Sequence, residues 1–115
     1  MKKMDQSTYE NFAQLDIRVG TIIIAEDFPK AVRPAFKLQI DFGSEIGILN
    51  TSAQITDLYS KESLIGKQVV AVVNFPPKQI ANFISQCLVL GAVGDDNKVF
   101  LLAADQIVEN GLRIL

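Results

Sequence analysis

The chain has 115 residues, 49% of them hydrophobic, 21% charged and 8% aromatic, with a formal charge of −2 and a pI near 5.0. That is enough for one packed core, and it excludes disordered, collagen-like and low-complexity classes. Histidine is absent and Cys87 is the one cysteine, which removes Cys/His zinc sites, histidine-dependent nucleophile systems and an internal disulfide.

At the N-terminus, Lys2 and Lys3 are followed by no apolar core segment, and no apolar run reaches the ~18 residues of a membrane span. The sequence therefore reads as cytoplasmic, with no membrane insertion. Ser7-Thr8-Tyr9-Glu10 has the form of a capping box. It predicts a short helix with Tyr9, Phe12 and Ala13 on one face, too brief to stand without something to dock on. From Leu15 to Ile24 the residues alternate with the period of a strand, and Gly20 inside it predicts a bend or bulge. Pro29 and Pro34 bracket a loop, Phe36 to Phe42 alternate as a second strand, and Ile46 to Leu49 give a short third.

Between Thr56 and Lys67 the pattern fits a turn or two of helix. Gln68 to Phe75 is β-branched and nearly continuously apolar, which predicts a strand buried on both faces and stopped by Pro76-Pro77. Cys87 to Val93 and Val99 to Ala103 read as further strands joined by the turn Gly94-Asp95-Asp96-Asn97. Asn110-Gly111 carries a hairpin signal between Ile107-Val108 and Leu112-Arg113-Ile114. Three strands, a helical break and two further strands predict an all-β, five-stranded antiparallel OB-fold barrel. The expected divisions are a helix over 1–14, the barrel over 15–104 and a C-terminal extension over 105–115, all in one domain.

Charge is unevenly distributed. Phe28 to Ile40 and Ser63 to Gly94 hold Lys30, Arg33, Lys37, Lys67 and Lys78 with no acid, so a positive face on an acidic protein follows if the two stretches meet. Asp95-Asp96 and Glu26-Asp27 read as solvated turns and loops rather than acid/base or cation sites, and no phosphate-binding glycine loop is present. Cys87, with no basic neighbour, reads as a small core residue. Nothing in the sequence argues for an enzyme or a cofactor. The segment from Asn74 to Ser85 sets an amide, Phe75, Phe83, Lys78 and Ser85 around a rigid diproline. Asn74 has two readings: a side chain bonding the loop backbone, or a contact to a base edge or phosphate with Phe75 or Phe83 as a stacking surface and Lys78 on phosphate.

Five blocks in order carry a resemblance: Leu15 to Ile22, Pro34 to Leu38, Ser52 to Thr56, Leu64 to Val70, and Val73 to Lys78. Together they resemble the tRNA-binding OB domain, a module also found appended to methionyl- and phenylalanyl-tRNA synthetases. With Ile40 to Gly43 and Leu88 to Gly91, the chain is most similar to the free-standing CsaA-type secretion chaperones. The resemblance covers residues 10–115 and implies a homodimer formed through the N-terminal helix and the C-terminal extension. It places Asn74, Lys78 and Ser85 on the tRNA-binding side, with Lys30, Arg33 and Lys37 as phosphate contacts by charge. Asn82 stands where the family often has glycine, Gln86-Cys87 stand where Gly-Met is common, and Ile84 holds a place expected to be polar or basic. The implied partner is tRNA, recognised by shape and backbone. The alternative is a chaperone binding unfolded or precursor polypeptides for the export machinery, in an apolar groove at the dimer junction near Phe75, Phe83 and Ile84.

Overall fold

A computed structural model describes residues 2–115. Helix α1 (Tyr9–Ala13) is capped by Thr8, whose side chain accepts from the Asn11 N–H, so the cap stands one residue later than the Ser7 capping box predicts. Ser7 Oγ instead accepts from the Asn11 side-chain amide at 2.9 Å. The main sheet contains β1 (Ile17–Asp27), β2 (Phe36–Asp41), β3 (Ile48–Ala53), β4 (Gln68–Val72) and β7 (Leu88–Val89). Its antiparallel order is β3-β2-β1-β4-β7. Two hairpins complete the fold, β5 (Lys78–Ile80) with β6 (Phe83–Ser85) and β8 (Gly91–Val93) with β9 (Val99–Leu101).

The sheet curls nearly shut where the chain before β7 returns beside β3. There the Gln86 N–H donates to the Asn50 carbonyl at 2.7 Å, and buried Thr51 Oγ1 donates to the Cys87 carbonyl at 2.7 Å. This is the five-stranded antiparallel barrel of the all-β OB class.

β1 serves both halves of the barrel, pairing with β4 over Ile17 to Thr21 and with β2 over Thr21 to Asp27. The irregularity that bends it lies between Ile22 and Ile24, not at Gly20. Gly20 answers a different need: a Cβ there would stand 2.6 Å from Ile40 Cγ2 and 2.7 Å from the Phe42 ring. Its bare backbone lets those two fully buried side chains close the core beside Ile22, Leu38, Leu64 and Val69. β3 begins and ends later than the predicted Ile46 to Leu49, because the turn ending at Gly47 folds back on Phe42 and pairing starts at Ile48. The break before β4 holds helix α2 (Lys61–Leu64), with Ser60 and Ser63 capping each other reciprocally. β4 is buried at every position, as its composition predicts, but it ends at Val72, before the diproline. The predicted Cys87 to Val93 strand is divided into β7 and β8 at Leu90.

The C-terminal residues do not form a hairpin of their own. The turn at Asn110-Gly111 sends the tail antiparallel along the remaining edge of β1, where Gly111 N donates to Val19 O and Ile114 N to Ile17 O, both at 2.8 Å. Gly111 has φ +95°, and a Cβ on it would lie 2.6 Å from the Phe42 carbonyl. Gln68, buried on β4, anchors the same tail by donating to Val108 O at 2.7 Å and accepting from Val108 N at 3.1 Å. A free backbone edge on β1 is a better partner than the tail's own short apolar runs, because it satisfies both chains at once.

Candidate nucleic-acid interface

The two acid-free stretches meet. Lys37 on β2 lies directly opposite Ser52 on β3. The Ser52 N–H donates to Ser85 Oγ on β6 at 3.4 Å, and Ser85 is the cross-strand partner of Lys78 on β5. The result is a row of Lys37, Ser52, Ser85 and Lys78 across four strands, in which the Ser85 hydroxyl is also held by Thr51 Oγ1 at 3.1 Å and by the Cys87 carbonyl at 3.4 Å. Directly opposed residues point to the same side of a sheet, so the β5–β6 register turns Lys78, Ile80, Phe83 and Ser85 to one face and Gln79 and Ile84 to the other.

Lys37 is held by rings rather than acids. Its Nζ stands 5.7 Å from the Phe28 centroid and 5.8 Å from that of Phe83, and those rings meet edge-on at 5.6 Å. Each such contact contributes about 0.5–1 kcal/mol while leaving the charge uncompensated. Among the described residues, carboxylates form ion pairs only with Arg18 and Lys61; Lys30, Arg33, Lys37 and Lys78 are in none, although Glu26 is the cross-strand neighbour of Lys37 on β1. Arg33 borders the groove that joins the 31–35 loop to Ser52, Ile80 and Ala81. Lys30 is exposed on the same loop, with no side-chain partner among the described residues. Lys67, in contrast, sits over the Tyr59 ring beside α2, outside this group.

Asn74 is occupied. Its Oδ1 accepts from the Asp16 N–H at 2.9 Å and its Nδ2 donates to the Gln14 carbonyl at 2.8 Å. The side chain thereby staples the end of β4 to the approach to β1, and one amide hydrogen is left over. Beside it, Phe75 borders a cavity of about 220 Å³ with Pro76, Lys78, Ile80, Ser52, Ser85, Gln86, Cys87 and Leu88. Cys87 is buried there, which pushes its thiol up to about 11 against the ordinary 9.0, so it is a protonated wall rather than a nucleophile. Phe83 is half-buried on Phe28, while Ile84 lies on the opposite, exposed face of its hairpin. Phe75, Phe83 and Ile84 thus occupy three different surroundings.

Sequence reasoning named Gln86 only as a departure from the family pattern and did not single out Ser52 or Phe28. Only the β2–β3 register and the folding of β5–β6 over β3 bring them to the site. Among the described residues no cluster of carboxylates and thiols could hold a metal, and no helix is long and apolar enough to cross a membrane.

A family model described as "Putative tRNA binding domain" matches residues 17–113. The solved CsaA chaperone of Bacillus anthracis is 49% identical, with a TM-score of 0.91 over 96% of this chain and 100% of that one. The CsaA chaperone of Picrophilus torridus is 54% identical, with a TM-score of 0.90 and the same coverage. A methionine–tRNA ligase of Thermococcus kodakarensis is 38% identical over 98% of this chain, which spans 15% of that enzyme's length.

Proposed function

This chain belongs to the tRNA-binding domain family, and on that premise we propose that it is a non-catalytic module that holds tRNA by shape and backbone, acting as a homodimer in the cytoplasm. The observation that carries this reading is the row Lys37–Ser52–Ser85–Lys78, in which neither lysine is held in an ion pair: Lys37 lies against aromatic rings, with Glu26 as its cross-strand neighbour on β1, and Lys78 lies opposite Ser85. Unneutralised lysines on a rigid wall release counterions when they meet phosphate, which gives affinity without sequence readout. Lys30 and Arg33 extend the wall along the 31–35 loop, and the remaining Asn74 amide hydrogen offers one more donor to a phosphate or base edge. Two or three phosphate contacts per subunit give a slope of log affinity against log salt near −2, from about 0.7–0.9 for each contact. Filter binding of bulk tRNA over a salt series tests this; a salt-independent signal refutes it.

The dimer reading rests on apolar surface left outside the barrel. Tyr9 is 72% exposed, Ile107 84% and Leu115 87%, and Arg113 ties the tail to α1 by donating to the Ala13 carbonyl at 3.2 Å. Helix and tail form one surface that a second copy would cover, doubling the basic wall. Sedimentation equilibrium giving twice the chain mass, reduced to one by Tyr9→Glu with Leu115→Glu, is the expected result.

A second reading, binding of unfolded or precursor polypeptides for export, is supported by the similarity to CsaA chaperones and by apolar exposure at Phe75, Ile84 and Leu88. Suppression of client aggregation that falls with Phe83→Ser or Ile84→Ser supports it; unchanged suppression removes that site.

A further inference from the structure

The cavity beside Phe75 has chemistry that the basic wall alone does not require. One side is apolar, from the half-exposed Phe75 ring, Pro76, Ile80 and Leu88; the other carries the Lys78 ammonium, the Ser52 and Ser85 hydroxyls and the Gln86 side chain. Gln86 Oε1 accepts from the Asn50 N–H at 2.8 Å, which settles the orientation of that amide and leaves its NH₂ group without a protein partner among the described residues. No carboxylate lines the space. The site therefore offers donors, a positive charge and a ring face, and suits an anionic, acceptor-rich ligand with a flat ring.

We infer that this cavity seats one unstacked nucleotide of a single-stranded RNA segment, its base against Phe75, its acceptor edge toward the Gln86 amide and its phosphate at Lys78. Base–aromatic stacking tolerates every base because each has a π face. The free Gln86 NH₂ donates to a carbonyl or ring nitrogen of any of them, so the seat adds affinity for unpaired RNA with little sequence preference. An extended polypeptide fits less well, because its backbone carries as many donors as acceptors, while the lining supplies a cation and a free amide NH₂ and no carboxylate to take N–H groups.

The inference rests on the tRNA-binding reading, and its test separates the two. Binding of a short single-stranded oligonucleotide carrying 2-aminopurine is followed by base fluorescence, against which a chain without tryptophan gives no background, while bulk tRNA is followed by filter binding. The expected result is quenching on binding, roughly tenfold weaker oligonucleotide binding for Phe75→Ala and Phe75→Leu, and retention of both signal and affinity in Phe75→Tyr. Phe75 is 43% exposed, so these variants keep the barrel, which circular dichroism checks. Oligonucleotide binding that is absent or indifferent to Phe75→Ala, while bulk tRNA still binds, overturns the nucleotide seat alone. Displacement of the quenched oligonucleotide by an apolar peptide but not by mononucleotides also overturns it and gives the cavity to polypeptide. Loss of all RNA binding in the wild-type protein overturns the tRNA reading as well.

Discussion

Arg18 and Lys78 are both cations on strands of one small barrel, and their surroundings are opposite. Arg18 binds Asp16 through Nε at 2.5 Å, Glu45 through Nη1 at 3.0 Å and the Gly111 carbonyl at 3.0 Å. Its hydrogen bond to Asp16 raises its pKa further, against the pull of burial. Four of its five N–H donors are spent within the protein, and the C-terminal tail is fastened to β1 by one of them. Lys78 faces hydroxyls, an apolar cavity wall and solvent. A cation that stabilises a fold is neutralised by it; a cation left over, on a rigid wall, is available to something else. The same division runs through the amides, since Gln68 and all but one hydrogen of Asn74 are engaged within the protein while the NH₂ of Gln86 is not.

The contrast is most severely strained in the core that supports both regions. Phe42→Ala, at a fully buried position, is expected to cost about 3–5 kcal/mol in urea unfolding, and tRNA binding should fall only as the folded fraction falls. Cys87 marks where the cavity wall becomes interior. With its thiol pushed from 9.0 up to about 11 by burial, alkylation of the native protein at pH 8 should be roughly 100-fold slower than of the unfolded chain. The folded state holds that proton more tightly, so the stability it contributes is complete below pH 9 and is lost as pH rises toward 11; urea midpoints across that window check the sign.

Arg18→Ala is expected to lower stability by about 2 kcal/mol, because it leaves Asp16 and the tail carbonyl without their donor, and to leave the tRNA salt slope unchanged. Lys78→Ala should do the reverse, reducing the slope by about 0.7–0.9 while stability stays within about 0.5 kcal/mol. Lys61, paired with Asp27 at 2.9 Å, is the control whose loss leaves the slope untouched. A Lys78→Ala protein with an unaltered slope would erase the distinction between the two kinds of cation. The smallest effect is at the tip of the β5–β6 hairpin, where Ala81 has φ +51°. Ala81→Gly should stabilise thermal unfolding by a few tenths to about 1 kcal/mol, since a Cβ is disfavoured in that conformation.

Much of the framework was legible in the chain. Alternation located β1 and β2, continuous apolarity located β4 as buried, and proline, glycine and asparagine placed the turns. What misled was local chemistry with two outcomes. Gly20 is as compatible with a close approach as with a bulge, and only Ile40 and Phe42 standing over it decide for the former. Asn110-Gly111 does turn the chain, but whether the following residues pair with the preceding ones or with a free edge elsewhere depends on which edge is free.

The amino-acid order by itself therefore determined β1, β2 and β4 with their buried faces, the family and the two acid-free stretches, but not the β5–β6 hairpin. Only tertiary structure decided that Lys37, Ser52, Ser85 and Lys78 share a row, that Asn74 is spent on backbone, and that Gln86 keeps a donor. The physical reason is that a period of two tells each side chain which face it occupies, but not which strand lies beside it. Neighbours across a sheet come from register and closure, set by contacts between residues tens of positions apart.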